Sequence, residues 1–490
     1  MEARTPIIVG IDIGTTNVKA VSIDADARVL SVHRRPMVIH SSSADASEFD
    51  LSNLVQMLIA LLSDTAADLE AGGYDLRRIA VLSVAAIGES FVGLDRDDRP
   101  ALPCPTWYDR RTGPYRADTG MDAASWFDTT GMVDDDIYTI WRQIWWRRHQ
   151  PDVVGRVARW FSVSDYALFC LGGAHVAHPA LAARTGLADR HRLDWSDDHL
   201  AIAGVRRAAM PELLPQASVA GHLSADMARL TGLPQGLPLV NAGHDHPCAG
   251  LGAGMTRPGT FVNSAGTAES LIALVDHPLS YEEVGDGEYD CYPHAVSGQF
   301  LLSGHIPTSG AAIDWIARQF GLADDQIVAG VPPGCRGVRV APYLQGSGSP
   351  WNRRDARLRM AGIDAGTSKA ELTRATYEGL AAWLSISVTR FEEQTGYCPQ
   401  EILLTGGGGR HRAYTRIKAA ILNRTLVAAD IPEAAGIGAA MIGGLAIGIW
   451  HSFEDLTSCD RGQVSKIRPD PQMQTAYFGL KGEMQDFLAP

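Results

Sequence analysis

The chain begins with a strand pattern that a glycine turn interrupts. The run PIIVGIDIG is almost entirely apolar and stops at a Gly-Thr-Thr turn, and VKAVSIDADARVLSVHRR continues as strand, turn at Asp24 to Ala27, and strand. Apolar residues then recur at helical spacing from Leu51 to Leu62, and Gly72 and Gly73 precede another apolar run, IAVLSVAAIG. Strands that alternate with helices predict an α/β sheet covered on both faces.

A second opening of the same kind stands in the middle of the chain. PGTFVNSAGTAESLIALV, which starts at Pro258, again predicts strand, Gly-Thr turn and strand, so we expect two related α/β halves. Between them a buried strand, Pro238 to Ala242, leads directly to Asp245. We expect a domain boundary near Gly250 to Met255, with an N-terminal domain of residues 1–252, a C-terminal domain of residues 253–450 and a C-terminal extension of residues 451–490.

The most apolar segment of the C-terminal half is AAGIGAAMIGGLAIGIW, which starts at Ala434. Small residues recur there at a four-residue step, at Gly436, Ala440, Gly444 and Gly448, and this step lines one face of a helix. The segment falls just short of a comfortable membrane span. It therefore predicts a buried helix that approaches a neighbouring backbone closely.

Composition and charge exclude several classes of partner. The 490 residues are 46% hydrophobic and 20% charged, which is ordinary for globular domains, and the net charge is -13. Such a balance argues against nucleic-acid and membrane partners, which need basic surfaces. The seven cysteines are scattered without a C-x-x-C pair, and the N-terminus lacks a signal-peptide pattern, so we expect a cytoplasmic protein.

Three glycine turns, each after a β-type run, point to phosphate chemistry. They are DIGTTNVK (Asp12 to Lys19), SAGTAE (Ser264 to Glu269) and LLTGGGGR (Leu403 to Arg410). Glycines with hydroxyl neighbours allow backbone N–H groups to approach phosphate oxygens. Singly, each turn is as well explained by a hairpin connection, but three together predict a nucleotide phosphate cradle. The chain contains no G-x-x-x-x-G-K-[ST] motif, so it is not a P-loop enzyme.

The segment NAGHDHPCAGLGAG places three residues of metal-ligand type in a row, His244, Asp245 and His246. Successive residues of an extended segment point to alternate sides, so we expect these three not to converge on one metal ion.

In their order along the chain, the motifs GIDIGTTNVKA, WYDRR, SDYALFCLGG, AGHDHPCAGLGAG, NSAGTAES and LLTGGGGRHRAYTRIKAAIL…AAGIGAAMIGG resemble the FGGY carbohydrate kinase family. The resemblance extends over about residues 7 to 450. It implies two ribonuclease-H-like (actin-like) α/β domains with an interdomain cleft. It also implies transfer of the γ-phosphoryl group of ATP to a hydroxyl group of a sugar or polyol.

By this resemblance Asp245 matches the catalytic base, and Asp12 matches the carboxylate that helps to hold Mg-ATP. Both are expected beside Mg²⁺, which takes one or two carboxylates and keeps several waters. The assignment agrees with the chemistry, because an attacking hydroxyl of very high pKa must surrender its proton to a positioned base. A structural alternative for Asp12 is a turn-capping role.

The same matching assigns nucleotide contacts in both halves of the chain. Two departures from the family pattern are Ala419-Ala420, where relatives often carry an Ala-Asp pair, and Lys19, where others often carry arginine. The residues expected to hold ATP are Asp12, Gly14, Thr15, Thr16, Asn17, Gly266, Thr267, Gly310, Asp314, Gly407, Gly408 and Arg412.

For the sugar, GESFVGLD and TWYDRRTG resemble the substrate-binding strand and loop of the family. Relatives often carry a different residue before the glutamate, and Gly88 is expected to make this end of the site roomier or simply unlike that of glycerol kinases. Alternatives stay open: Trp107 as a core residue, and Asp109 with Arg111 as a local ion pair. The expected substrate contacts are Glu89, Trp107, Tyr138, Asp245 and His246.

The sequence thus predicts an ATP-dependent kinase of a ketose or polyol. The competing hypothesis is a non-catalytic actin-like sensor that binds ATP and a sugar, and retention of both Asp12 and Asp245 speaks against it. The sequence does not decide whether the chain forms a homodimer.

Overall fold

The computed structural model describes residues 5–113, 115–321, 323–407, 411–429, 431, 433–459 and 464–490. Its strands are β1 (Ile7–Ile13), β2 (Asn17–Asp24), β3 (Val29–Pro36), β4 (Ile39–His40), β5 (Glu48–Phe49), β6 (Ile79–Ala86), β7 (Phe91–Leu94), β8 (Cys104–Pro105), β9 (Arg159–Ser162), β10 (Val176–Ala177), β11 (Ala188–Asp189), β12 (Asp194–Trp195), β13 (Glu212–Leu213), β14 (Val219–His222), β15 (Pro238–His244), β16 (Phe261–Ala265), β17 (Glu269–Val275), β18 (Asp290–Pro293), β19 (Phe300–Ile306), β20 (Arg339–Ala341), β21 (Arg359–Ala361), β22 (Glu401–Thr405), β23 (Thr425–Ala429) and β24 (Val464–Ile467).

The α-helices alternate with these strands in both halves of the chain. They are α1 (Leu51–Ala71), α2 (Tyr115–Thr119), α3 (Ala123–Thr130), α4 (Thr139–His149), α5 (Pro151–Gly155), α6 (Val163–Leu171), α7 (Pro179–Ala183), α8 (Asp197–Ala203), α9 (Ala225–Thr231), α10 (Asp245–Ala253), α11 (Gly310–Phe320), α12 (Asp325–Gly330), α13 (Lys369–Thr395), α14 (Arg412–Leu422), α15 (Ala434–Ala446), α16 (Phe453–Thr457) and α17 (Pro471–Leu488).

Two sheets of matching topology form the centres of the two domains. The N-terminal sheet has the order β14-β15-β6-β1-β2-β3, in which β1, β2 and β3 are antiparallel neighbours and β1, β6 and β15 run parallel. The C-terminal sheet has the order β18-β19-β17-β16-β22-β23-β24, and its strands β19 to β23 repeat this order and these directions. The predicted repetition of an α/β half is therefore confirmed.

The helix predicted from the first apolar stripe is α1. Asp50 caps its first turn by accepting a hydrogen bond from the backbone N–H of Asn53 at 2.9 Å, and the helix ends at Gly72. Its leucines and α6 pack on one face of the N-terminal sheet, where β1 contributes Ile7, Val9, Ile11 and Ile13. The other face, which carries Ile8, packs against α10 and α15.

The predicted small-residue helix is α15, and it lies in direct backbone contact with β1 and α10. A Cβ atom at Gly10 would stand 2.0 Å from the carbonyl oxygen of Gly436, and one at Gly438 would stand 1.8 Å from that of Cys248. Such approaches exclude any larger side chain. Helix α15, from the C-terminal half, is thus wedged against the N-terminal sheet beside α10, while Gly448 lies beyond its end.

The last segment of the chain joins the C-terminal sheet. Strand β24 pairs antiparallel with β23, and α17 packs against α13 and α14. Among the described residues, no helix combines the length and the apolar character that crossing a bilayer requires.

Candidate functional site

The central site lies where three parallel strands of the N-terminal sheet end. Asp12 is the last residue but one of β1, Glu89 follows β6 within three residues, and Asp245 follows β15 directly. Because β1, β6 and β15 are parallel neighbours, their carboxyl ends meet at one edge of the sheet. This topology brings the three predicted carboxylates together.

Asp12 lies on the face of β1 that α15 covers, because alternate residues of a strand share a face and Gly10 contacts α15. Its Oδ2 accepts a hydrogen bond from Lys19 Nζ at 3.1 Å, whereas its Oδ1 is buried without a hydrogen-bond partner. Burial raises the pKa of Asp12, the charge of Lys19 opposes this, and nearby Glu433 adds repulsion. Asp12 therefore presents one unpaired oxygen at the end of the strand.

Asp245 begins helix α10, with 21% of its side chain exposed. Its Oδ1 is a buried atom without a hydrogen-bond partner. Burial raises its pKa well above the ordinary value of 3.8, and repulsion from Asp12 and Glu89 adds to the rise. A carboxyl group of this kind has a strong affinity for a proton, as a general base needs.

The two neighbouring histidines correct one sequence expectation. The ligand atoms of His244, Asp245 and His246 all lie within 4.8 Å of one another, so the three side chains do converge. The expectation of alternate sides was wrong because β15 ends at His244 and α10 begins at Asp245, so the segment is not extended. His244 Nδ1 lies 2.9 Å from the hydroxyl of Tyr292, and its Nε2 lies 3.2 Å from Asp245 Oδ1.

Glu89 is held by an arginine that the sequence analysis missed. Arg184 Nε donates to Glu89 Oε1 at 2.6 Å, and Arg184 Nη1 donates to Asp290 Oδ2 at 2.6 Å. The guanidinium also lies over the rings of Tyr138 and Tyr292. Arg184 follows α7 of the N-terminal domain and Asp290 begins β18 of the C-terminal sheet, so this ion network spans both domains.

Gly88 does not leave the extra room that the sequence suggested. A Cβ atom there would lie 3.2 Å from His244 Nε2 and 3.3 Å from Arg184 Cβ, so these two side chains already fill the space. The local backbone is unusual as well, because Glu89 has a positive φ of 61°. A small residue before Glu89 therefore admits Arg184 to the site.

Two predicted aromatic contacts occupy different positions. Trp107 Nε1 donates to Thr15 Oγ1 at 3.0 Å, and this bond joins the loop that carries Trp107 to the first glycine turn. Tyr138 is fully buried, and its hydroxyl donates to Asp290 Oδ1 at 3.0 Å. The Arg184 guanidinium lies over the ring of Tyr138, and contact of Tyr138 with a substrate stays a prediction.

The local ion-pair alternative for Asp109 and Arg111 is confirmed. Arg111 Nη2 donates to Asp109 Oδ2 at 2.7 Å and lies 2.7 Å from Glu48, while Asp109 also accepts the backbone N–H of Ser47 at 2.9 Å. These bonds fix the loop that carries Trp107 and leave Asp109 buried.

The first glycine turn is a tight connection between two antiparallel strands. The backbone N–H of Gly14 donates to the carbonyl of Asn17 at 3.0 Å, and this bond closes the turn that connects β1 to β2. Thr15 is half-buried beneath Trp107 and Thr16 is exposed, so hydroxyl groups line the turn.

In the C-terminal domain, the second turn packs directly on the start of α11. The backbone N–H of Gly310 donates to the carbonyl of Gly266 at 3.0 Å, and that of Ala311 donates to the carbonyl of Thr267 at 3.0 Å. A Cβ atom at Gly310 would lie 2.6 Å from the Gly266 oxygen, so only glycine fits this approach. The structure thus brings together Gly266, Thr267 and Gly310.

The third turn lies beside the second. Thr405 pairs with Ser264 in register, and a Cβ atom at Gly406 would lie 2.4 Å from the carbonyl of Ala265. Gly407 borders open space, while Gly408 lies outside the described residues. Of the remaining predicted nucleotide contacts, Asp314 is exposed on α11 and Arg412 is exposed at the start of α14.

A buried ion pair beneath these turns was also missed. Lys418 of α14 donates to Glu269, the first residue of β17, and both side chains are 0% exposed. Glu269 Oε2 accepts from Ser309 Oγ at 2.6 Å and from the hydroxyl of Tyr414 at 2.9 Å. Burial favours the neutral acid, but the charge of Lys418 and these hydrogen bonds outweigh it and lower the pKa of Glu269. The network connects α11, α14 and the Gly266 turn.

A cavity of about 300 Å³ lies elsewhere in the C-terminal domain, where α13 and α17 enclose the segment before β20. Val340, Gly379 and Phe487 are among the residues that line it. Its lining includes none of the predicted site residues, so it is separate from the site at the strand ends.

Comparison with known proteins finds relatives over nearly the whole chain. The model of the FGGY family of carbohydrate kinases, N-terminal domain, matches residues 7–252, and that of the C-terminal domain matches residues 261–447. Xylulose kinase of Bacillus subtilis (strain 168) is 25% identical over 483 residues, which cover 96% of this chain and 95% of the relative. Gluconokinase of the same strain is 23% identical over 468 residues, which cover 92% and 89%.

Solved structures give the same picture. The crystal structure of xylulose kinase from Rhodospirillum rubrum matches with a TM-score of 0.88 at 26% identity, and the match covers 99% of this chain and 98% of that one. The predicted fold class, two actin-like α/β domains with a cleft between them, is confirmed by this match and by the two sheets of matching topology.

Proposed function

The chain belongs to the FGGY family of carbohydrate kinases, and from this premise we propose that it transfers the γ-phosphoryl group of ATP to a hydroxyl group of a neutral ketose or polyol, with Asp245 as the general base. The observation that carries this proposal is the buried Oδ1 of Asp245 at the strand ends, beside Asp12 and Glu89, which accepts no hydrogen bond although His244 Nε2 lies 3.2 Å away. An oxygen without a partner is available to accept the proton of a bound hydroxyl group.

The proposed reaction requires little covalent help from the protein. As the sugar hydroxyl attacks the γ-phosphorus, Asp245 takes its proton, the bond to the β-phosphate oxygen breaks, and ADP leaves. The backbone N–H groups of the turns at Gly14, Gly266 and Gly407 are suited to bind the phosphate oxygens. These turns come from both domains, so domain closure would exclude water from the reacting groups.

A divalent cation fits beside Asp12. Its buried Oδ1 lacks a hydrogen-bond partner, and carboxylate oxygen is the donor that Mg²⁺ prefers. Asp12 would hold the ion, with Asp245 as the second carboxylate nearby. When bound, Mg²⁺ neutralises negative charge on the phosphates of ATP.

The charge of the site favours a neutral substrate over a sugar acid. Glu89, Asp245 and Asp290 contribute three carboxylates, whereas Arg184 is already paired with two of them. His244 adds no positive charge, because burial and the nearby Arg184 and His246 lower its pKa. A carboxylated sugar such as gluconate would meet net repulsion here, whereas hydroxyl groups can donate to the carboxylates.

The test is a screen of ADP release with Mg-ATP against neutral ketoses and polyols, namely xylulose, ribulose, fuculose, glycerol and erythritol, and against gluconate. We expect one neutral compound to stimulate ADP release far above the sugar-free rate, and gluconate to be inactive. Preferential phosphorylation of gluconate would refute the neutral-substrate proposal.

If no compound in a broad panel of sugars and polyols stimulates ADP release while the chain binds ATP tightly, the sensor hypothesis would instead be favoured. That hypothesis has no support from the relatives described above, which are kinases. A cytoplasmic location is part of the proposal, because ATP is supplied there.

A further inference from the structure

We propose that His244, Asp245 and His246 form a binding site for a divalent transition-metal ion such as Zn²⁺, and that this ion inhibits the enzyme by occupying Asp245. The inhibition rests on the proposed role of Asp245 as the base, whereas the binding site itself does not.

The spacing of the three side chains suits such an ion. Ligand atoms about 2.0–2.1 Å from a tetrahedral ion lie roughly 3.3 Å from one another. His244 Nε2 already lies 3.2 Å from Asp245 Oδ1, and His246 Nε2 lies 4.0 Å from the same oxygen. His246 has 42% of its side chain exposed, so a rotation within the cleft can close the remaining gap.

The donor atoms are also in a state that can bind a metal. The hydroxyl of Tyr292 holds His244 Nδ1 at 2.9 Å and leaves Nε2 directed at Asp245, as outer partners of metal-binding histidines commonly do. Asp245 Oδ1 is buried without a hydrogen-bond partner.

The surroundings favour a cation at this position. Asp12 and Glu89 lie at the ends of β1 and β6, the strands that neighbour β15, and their negative charges attract a divalent ion. Arg184 opposes it, but Glu89 and Asp290 already pair with that guanidinium.

Two imidazole nitrogens and one carboxylate oxygen select against the Mg²⁺ that accompanies ATP. Imidazole suits Zn²⁺, Co²⁺, Ni²⁺ and Cu²⁺, whereas Mg²⁺ prefers oxygen ligands and retains its waters. Three protein ligands leave a coordination position open for water. A bound ion would withdraw the Asp245 lone pair from the sugar hydroxyl and would occupy the sugar side of the cleft. Inhibition is therefore expected to compete with sugar.

The experiment uses the full-length chain and Co²⁺ as a spectroscopic substitute for Zn²⁺, without sugar or nucleotide. We expect one Co²⁺ per chain, visible absorption bands, and none of the near-ultraviolet absorption that a cobalt–thiolate bond produces, because no cysteine belongs to the site. His246→Gln and Asp245→Asn should each weaken Co²⁺ binding by at least ~10-fold.

His277→Gln is the matched control. The exposed His277 Nδ1 lies 2.7 Å from Asp276 Oδ1, so it is also a His–Asp pair, but it is not part of the three-residue group. This variant should bind Co²⁺ as the unaltered chain does. Thermal unfolding of each variant checks that it is folded, and Zn²⁺ inhibition of sugar-dependent ADP release, measured at excess Mg-ATP, checks the competition with sugar.

Equal Co²⁺ binding by the unaltered chain and both site variants would overturn the proposal, as would no binding by the unaltered chain. Co²⁺ binding that depends on His246 and Asp245 in a protein without kinase activity would retain the metal site and reject the proposed function. Kinase activity without such Co²⁺ binding would support the proposed function and reject the metal site.

Discussion

Replacing Lys418 with methionine tests the buried network that connects α11, α14 and the Gly266 turn. Methionine has nearly the same length, so the change removes the positive charge and little volume. Glu269 would remain buried with the hydroxyl groups of Ser309 and Tyr414 as neutral partners. Removal of one partner from a buried ion pair costs about 3–5 kcal/mol, and the two remaining hydrogen bonds place the expected loss near the lower end, at about 3 kcal/mol.

This loss should appear as a fall of roughly 6–12 °C in the melting temperature of the C-terminal domain, since ~1 kcal/mol corresponds to about 2–4 °C for domains of this size. Calorimetry measures it directly. The double variant Glu269→Gln with Lys418→Met removes both charges and keeps an acceptor for Ser309 and Tyr414. It should therefore be more stable than Lys418→Met alone, by about 2 kcal/mol.

Lys466→Met is the matched control for this prediction. Lys466 pairs with Glu401 on the same sheet, but the side chains are 44% and 47% exposed, so the expected change is within about 0.5 kcal/mol. Ser309 directly precedes Gly310, the first residue of α11, which donates a hydrogen bond to the Gly266 turn. Because this turn is proposed to bind ATP, Lys418→Met should also raise the KM for ATP. If Lys418→Met lowered stability no more than Lys466→Met, the assigned role of the network would be refuted.

Two further predictions concern Asp245 and the close contact between α10 and α15. As the pH is lowered, kcat/KM for the sugar should begin to fall at a pH well above 3.8. Burial and neighbouring carboxylates raise the pKa of Asp245, and only its charged form accepts a proton. A pH profile of kcat/KM that stayed flat down to pH 4 would exclude Asp245 as the base. Gly438→Ala should lower the free energy of unfolding by about 1–3 kcal/mol, because the new Cβ would lie 1.8 Å from the Cys248 carbonyl of α10. The same displacement should lower kcat. Gly479→Ala, in open space on α17, should cause no loss; equal effects would contradict the wedge between α10 and α15.

Elements with a local signal were predictable from the sequence. The strand, Gly-Thr turn and strand of β1 and β2 recur as β16 and β17, because a tight turn and alternating burial leave their marks within a few residues. Asp12 and Asp245 were identified through family resemblance, and the parallel strand order then explains why they meet.

The missed residues act through contacts between distant segments. Arg184 meets Glu89 across 95 positions and Lys418 meets Glu269 across 149, and in the sequence each resembles an ordinary surface charge. Neither the spacing of residues in the sequence nor the hydrophobic periodicity predicts such an ion pair. The pair forms only when elements that are distant in the sequence pack together.

A local sequence signal for the start of α10 lies beside His244. Pro247 falls in the first turn of α10, and proline and aspartate are both favoured near the start of a helix. Pro247 therefore indicates that the strand changes to a helix near Asp245. Such a change removes the strict alternation of sides, but the convergence of the three side chains is visible only in the structure.

The role of Asp245 as the base is tested by Asp245→Asn, with turnover, ATP affinity and melting temperature measured on one preparation. The account predicts a loss of turnover of about 10²- to 10⁴-fold with unchanged ATP affinity, because the change removes proton acceptance and little volume.

It also predicts a higher melting temperature at pH 7. A carboxyl group whose pKa is raised in the folded state stabilises the fold below pH 3.8 and loses that contribution as the pH rises through the raised pKa, so asparagine relieves a penalty at neutral pH. Near-normal turnover together with an unchanged or lower melting temperature would contradict the account.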